Sequence, residues 1–151
     1  MARLWDKGLP LDERILRFTA GEDHKLDERL VAYDARASIA HARMLEKQKL
    51  LGAADCKAIC DGLEALAAAH AAGTWSIELA DEDAHSALER RLTERIGEAG
   101  GRVHLGRSRN DQVLVALRLY LRDAIDALAT RSSAATTPSA PFASAAIASR
   151  R

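Results

Sequence analysis

In four segments of this chain the apolar residues recur every three or four positions, and no segment sustains the apolar/polar alternation of a strand. Stripes of that spacing are buried by packing helix against helix, so the spacing predicts an all-α fold. Leu30, Tyr33, Ala37, Ala40 and Met44 make the first stripe, within 27–49. Cys56, Ile59, Leu63, Leu66 and His70 make the second, closed by Gly73, and the short link through Leu50, Leu51 and Gly52 predicts an antiparallel hairpin of these two helices. Leu88, Leu92 and Ile96 make the third; Val113, Leu117, Tyr120, Ala124 and Leu128 make the fourth. Only 4% of the residues are aromatic, and Ala and Leu dominate, which fits helices packed closely through small side chains.

The chain has 151 residues, enough for one moderate core. Lys+Arg and Asp+Glu are both 22, so no overall field recruits nucleic acid or an acidic membrane surface. Cys56 and Cys60 lie one helical turn apart with no further ligands at metal spacing and read as small buried thiols. Residues 1–7 lack the apolar run of a signal peptide, and no stretch approaches the ~20 apolar residues that span a bilayer. A reducing, cytoplasmic setting is expected. Residues 1–23 read as an extended arm with a short helix around 12–18, anchored by Trp5.

Two stretches carry chemistry. In Gly100-Gly101-Arg102-Val103-His104-Leu105-Gly106, the glycine pair breaks a helix, and Val103 to Leu105 is predicted as a short extended run closed by Gly106. Ser108-Arg109-Asn110-Asp111 then fits a capping box, with the Ser108 hydroxyl accepting from the Asp111 N–H and the Asp111 carboxylate reaching back to the Ser108 N–H. A helix N-terminus favours an anion. Arg107 and Arg109 add planar forks suited to a carboxylate, and Asn110 adds an amide. Taken alone, the four-residue box reads as an ordinary helix cap with solvated arginines. The second stretch is Asp81-Glu82-Asp83-Ala84-His85. Its plain reading is acids complementing a helix dipole, and consecutive acids with a single histidine make a poor metal site, so no metal is expected.

The longer string is more specific. His104-Leu105-Gly106-Arg107-Ser108-Arg109-Asn110-Asp111-Gln112 resembles the first signature of the fumarase/aspartase superfamily, whose members eliminate fumarate from a substituted succinate. Fumarases and aspartases read Ser-Ser-Asn-Asp or Ser-Gln-Asn-Asp there. Argininosuccinate lyases and the related delta crystallins read His-Thr-Gly-Arg-Ser-Arg-Asn-Asp-Gln, which differs here only by Leu105 in place of Thr. Glu82-Asp83-Ala84-His85-Ser86-Ala87-Leu88-Glu89 resembles the family's Glu-Asp-Ile-His-x-x-x-Glu, and Ser38-Ile39-Ala40-His41-Ala42 resembles its Ser-x-Ala-His-Ala core segment. His41 itself reads as a packed or half-exposed residue. The arm departs from the pattern. Leu4-Trp5 is all that matches Leu-Trp-Gly-Gly-Arg-Phe, and the serine that contacts substrate in the family's Phe-Asn-Ala-Ser falls on Gly21, so that role is not carried over.

The resemblance covers about 3–128 and implies an N-terminal arm and helical domain over 1–107, followed by the start of a central-bundle helix over 108–128. Residues 129–151 change character abruptly: they hold three Arg and no acid, are rich in Ala, Ser and Thr, and include Pro138 and Pro141. A disordered tail is expected there, of the mixture that an out-of-frame reading of a GC-rich gene gives. The implied reaction is β-elimination of argininosuccinate to arginine and fumarate, in arginine biosynthesis. Ser108, Arg109, Asn110 and His85 are the implied substrate-binding residues, with no cofactor and no metal. No catalytic residue is assigned, because the family's proton-transfer groups, on a Thr-His segment and a Gly-Ser-Ser loop, belong to sequence beyond residue 128. Family sites are assembled from three subunits of a homotetramer, so this chain by itself is expected to be inactive, with a small-molecule partner and no nucleic acid or membrane. Two alternatives are another fumarate-releasing lyase, against which Arg109 and Gln112 argue, and a non-catalytic, crystallin-like helical scaffold.

Overall fold

The structure is a computed structural model that describes residues 13–136. Every regular element among them is helical. Helix α1 (Glu13–Ala20) ends at Gly21, α2 (Asp23–Leu26) runs into a 3-10 turn (Asp27–Arg29), and two long helices follow, α3 (Val31–Lys47) and α4 (Ala53–Ala71). A connection with one 3-10 turn (Leu79–Asp81) leads to α5 (Ala84–Ile96), a longer 3-10 segment (Gly97–Arg102) and finally α6 (Arg109–Thr136). Residues 1–12 of the expected arm, Trp5 among them, lie outside the described residues, and the short helix expected around 12–18 is α1.

The predicted hairpin forms, with α3 and α4 packed side by side and α5 laid across them. Ile59, Leu63, Leu88, Leu92 and Val31 are the large apolar side chains sealed between them. The α4 and α5 faces are the predicted ones, with His70 and Ile96 at the margins of the core. The α3 face is the predicted one only in part. Val31, Asp34, Ala35, Ala37, Ser38, Ala42 and Leu45 are buried; of the predicted stripe Ala37 is among them and Leu30 and Tyr33 are partly covered, whereas Ala40 and Met44 are exposed. The helix is rotated so that Asp34 and Ser38, which an apolar count skips, face inward. Cys56 and Cys60 are both buried and unbridged, and burial, with Glu46 and Cys60 alongside, pushes the Cys56 thiol up to about 12.

The link between hairpin and α5 is held by acids from the 3-10 turn. Glu28 accepts from the Ile77 N–H at 2.7 Å and pairs with His70, while Asp27 accepts from the Ala84 N–H at 3.1 Å. Trp75 donates to the Leu66 carbonyl at 3.0 Å, and the Arg91 guanidinium lies over its ring at 4.3 Å. The acids before α5 do not sit in its first turn. Asp83 is the N-cap, accepting from the Ser86 N–H at 2.8 Å, and Asp81 turns inward to Arg90 and Arg91 at 2.7 and 3.0 Å.

Two further expectations are corrected. Residues 103–105 are turns rather than an extended run; three residues with no partner strand gain nothing from extension, and Val103 instead drops into the core. At Gly100 a Cβ would come within 2.6 Å of the Thr93 Cα and N, so only glycine lets this segment lie against α5. The second difference is in the tail. Helix α6 runs on to Thr136, past the predicted boundary at Leu128, because Ala-rich sequence sustains a helix until Pro138 comes near. The rest of the tail lies outside the described residues. Of the predicted α6 stripe only Val113 and Tyr120 are partly covered; Gln112 and Ala116 are the buried positions, and Tyr120 meets Tyr33 edge-on at 5.7 Å.

Candidate functional site

The start of α6 is where α3, α5 and the turn over 103–108 converge. Gly106, at φ 74°, swings the chain so that Arg107 points back to α3 and Arg109 to α5. The cap is half as predicted. The Asp111 carboxylate does reach the Ser108 N–H, at 3.0 Å, but the Ser108 hydroxyl accepts from the Asn110 N–H, at 3.1 Å, one residue earlier than the box requires. The Ser108 hydroxyl, which accepts there, keeps its own proton available to donate. Ser108 and Asn110 are exposed, and the Asn110 side chain makes no hydrogen bond among the described residues.

The two arginines take different parts. Arg107 is half-buried and donates from Nη2 to Ser38 Oγ at 2.8 Å, so it is not an outward fork; burial lowers its pKa against the pull of Asp34 and Asp111. Arg109 stays at the face. It donates from Nη1 to Ser86 Oγ at 2.9 Å and from Nη2 to Glu89 Oε2 at 2.6 Å. Ser86 and Glu89 lie one turn apart on α5, directly after His85. His85 is turned to its own N-cap residue, with Nε2 3.2 Å from Asp83 Oδ2, and its side chain is 11% exposed. Thus Ser108, Arg109 and Asn110 form one unit, and Arg109 ties it to the helix that carries His85.

Beneath the turn lies a polar cluster with no counterpart in the sequence-based site. Asp34 Oδ1 accepts from Ser38 Oγ at 2.9 Å and from Gln112 Nε2 at 2.8 Å, and Asp34, Ser38 and Gln112 are all buried. Burial raises the Asp34 carboxyl, opposed by hydrogen bonds from Gln112 and Ser38 and by the charges of His85 and Arg107. One turn along α3, His41 Nε2 donates to the Leu105 carbonyl at 2.8 Å; burial, together with Arg107 and His104, lowers its pKa. Position 105 therefore contributes its backbone to the site, while its side chain is 41% exposed, so Leu in place of Thr leaves the anchor in place. Glu89 stood within a quoted motif and Gln112 ended one; their signal was spacing, Glu89 lying one turn beyond His85 and Gln112 one turn beyond Ser108.

Two cavities flank these helices. A groove of about 490 Å³ runs along the outer side of α3 and α4, past Ala32, Ile39 and Arg43, away from Arg109. The other, about 500 Å³, is bounded by Ile15, Thr19 and Ala20 of α1 and by Asp23, Glu82 and Asp83. It adjoins the carboxylate that holds His85 and brings the end of α1, just before Gly21, to the same edge of the protein.

A family model described as lyase matches residues 11–134. Among curated proteins, the chain is 53% identical over 132 residues to an argininosuccinate lyase of Sorangium cellulosum, which takes in 87% of this chain and 31% of the relative. It is 43% identical over 121 residues to an argininosuccinate lyase of Thermotoga neapolitana, covering 80% of this chain and 30% of that one. It is 52% identical over 116 residues to one of Geobacter sulfurreducens, covering 77% and 25%. The chain thus spans between about a quarter and a third of the length of these curated relatives.

Proposed function

Since this chain belongs to the lyase family, we propose that it supplies the carboxylate-holding part of an argininosuccinate lyase site, for the β-elimination that yields arginine and fumarate in arginine biosynthesis. The observation that supports this best is the tie from Arg109 to Ser86 and Glu89, which joins the start of α6 to the helix bearing His85. A succinyl carboxylate at this helix N-terminus meets the dipole, the Ser108 hydroxyl, the Asn110 amide and the remaining N–H groups of Arg109. As the proton next to that carboxylate is lost, negative charge builds on it, and donors already fixed in place stabilise the developing dianion without reorganising. Arg107, Ser38, Asp34, Gln112 and His41 hold the backbone that aims those donors. His85, fixed by Asp83, lines the same site by this reading.

The groups that move the proton are, by the family resemblance, on segments without counterpart in these 151 residues, so a polypeptide of these residues alone is expected to release no fumarate. The reading also takes the working protein as a homotetramer in a reducing, cytoplasmic setting, each site drawing on several subunits. No helix among the described residues is long and apolar enough to cross a membrane. In a full-length lyase carrying these residues, Arg109→Ala or Asn110→Ala should lower turnover by about 10²- to 10³-fold, the usual loss on removing one such donor. Turnover within a few-fold of the unsubstituted enzyme at saturating substrate, in both variants, would reduce the start of α6 to a helix cap.

A further inference from the structure

We propose that Glu89 is a positioning residue for Arg109, one that fixes which N–H groups of the guanidinium face an incoming carboxylate and at the same time limits how tightly that carboxylate is held. This rests on the reading that the start of α6 holds a substrate carboxylate. Helix α5 offers Arg109 two acceptors one turn apart, Ser86 Oγ to Nη1 at 2.9 Å and Glu89 Oε2 to Nη2 at 2.6 Å. One N–H of each terminal nitrogen is committed, which locks the plane of the guanidinium and leaves the second N–H of each for a ligand. The pair is shielded, with the Glu89 side chain 13% exposed and that of Arg109 34%. The same Glu89 oxygen lies 3.7 Å from Nδ1 of His104, on the turn that leads into α6.

Glu89 therefore acts twice, and the two actions oppose each other. By holding Arg109 it removes the rotamer freedom that a ligand would otherwise have to freeze, which favours binding. By placing a negative charge against the same guanidinium it competes with the ligand carboxylate, which disfavours binding and eases release of a fumarate-like product. Glu89→Gln keeps an acceptor for Arg109 and removes the charge; Glu89→Ala removes both.

The test is titration of the chain with succinate, read from the amide resonances of Ser108, Arg109 and Asn110, with Arg109→Ala as a control. Succinate should bind Glu89→Gln about 2- to 5-fold more tightly than the unsubstituted chain, the effect of removing one partly shielded competing charge. Glu89→Ala should bind it more weakly than Glu89→Gln. A Glu89 that serves only to stabilise the fold would lower the melting temperature in both variants and leave the dissociation constant of the folded chain unchanged, and that result overturns the proposal. So does succinate binding that depends on Arg109 but is equal or weaker in Glu89→Gln, in which case the carboxylate-site reading stands. If the unsubstituted chain shows no shift with succinate, or Arg109→Ala binds it equally well, the carboxylate-site reading fails and this proposal fails with it.

Discussion

Replacing Gln112 should cost more than its place near a helix start suggests, and the cost should grow with pH. The side chain is 3% exposed and donates to Asp34 Oδ1 at 2.8 Å, with a second, longer approach to Ser38 Oγ at 3.4 Å. Gln112→Met fills most of the same space without a donor, so it isolates the hydrogen bond. A hydrogen bond to a buried charged group contributes about 1.5–3 kcal/mol. Gln112→Ala adds a cavity and should lose about 2–4 kcal/mol in all. The pH dependence follows from Asp34, whose carboxyl is raised above its ordinary 3.8, chiefly by burial. For an acid raised on folding, the folded state binds the extra proton between the unfolded and folded values, so stability falls as pH rises through that window. Gln112 opposes the rise; without it the folded value climbs further and the window widens. The Gln112→Met penalty should therefore be small below the ordinary carboxylate range and full at neutral pH. Urea unfolding followed by circular dichroism across that range reads it. A loss under about 0.5 kcal/mol at neutral pH, or one that does not change with pH, would refute the assignment of Asp34 as a buried carboxylate held by this amide.

Asp34→Asn removes the same titration, so its stability relative to the unsubstituted chain should improve as pH rises through the window between the unfolded and folded values and level off above it; a flat difference would show that folding leaves the carboxyl's pKa unchanged. Asp81 has the opposite sign. Although burial alone would raise its carboxyl, hydrogen bonds from Arg90, the Glu78 N–H and Arg91 hold it below the usual range, so its contribution is present above the ordinary carboxylate value and lost as pH falls through the depressed one. Asp81→Asn should destabilise by about 1–3 kcal/mol at neutral pH, an amount reduced by the exposure of Arg90, and by much less in acid, as denaturant titrations at the two extremes would show. Gly100→Ala should lower stability by about 1–3 kcal/mol, since the new methyl meets Thr93 backbone rather than a side chain that can move, and shortening Thr93 to Ala should not restore the melting temperature.

Helix content and the hairpin were legible because α4 and α5 bury what their apolar spacing marks, Ile59, Leu63, Leu88 and Leu92 among them. The same count placed the buried face of α3 only in part, since two of the inward positions are Asp34 and Ser38, and misjudged α6, where the buried residues are Gln112 and Ala116. In both helices the inward polar groups satisfy one another, which no periodicity of apolar residues reports. Ser108 and Asn110 are exposed, His85 meets Asp83, and Arg109 reaches α5, yet which acids and hydroxyls would receive Arg107 and Arg109 could not be read from the chain: Ser38, Ser86 and Glu89 lie 69, 23 and 20 residues away.

That Asp34, Ser38 and Gln112 are at once core residues and the footing of the turn has a practical cost for anyone improving this protein. Buried polar clusters are often exchanged for apolar side chains at no loss of stability, and sometimes with a gain. Directed evolution that ranks variants by heat resistance would be drawn to exchanging all three together, since changing one alone strands its partners, and success there would cut the tether of Arg107 and loosen the start of α6. In this fold a higher melting temperature and a working site can be rival outcomes of the same exchange, and a screen has to score ligand binding alongside survival to tell them apart.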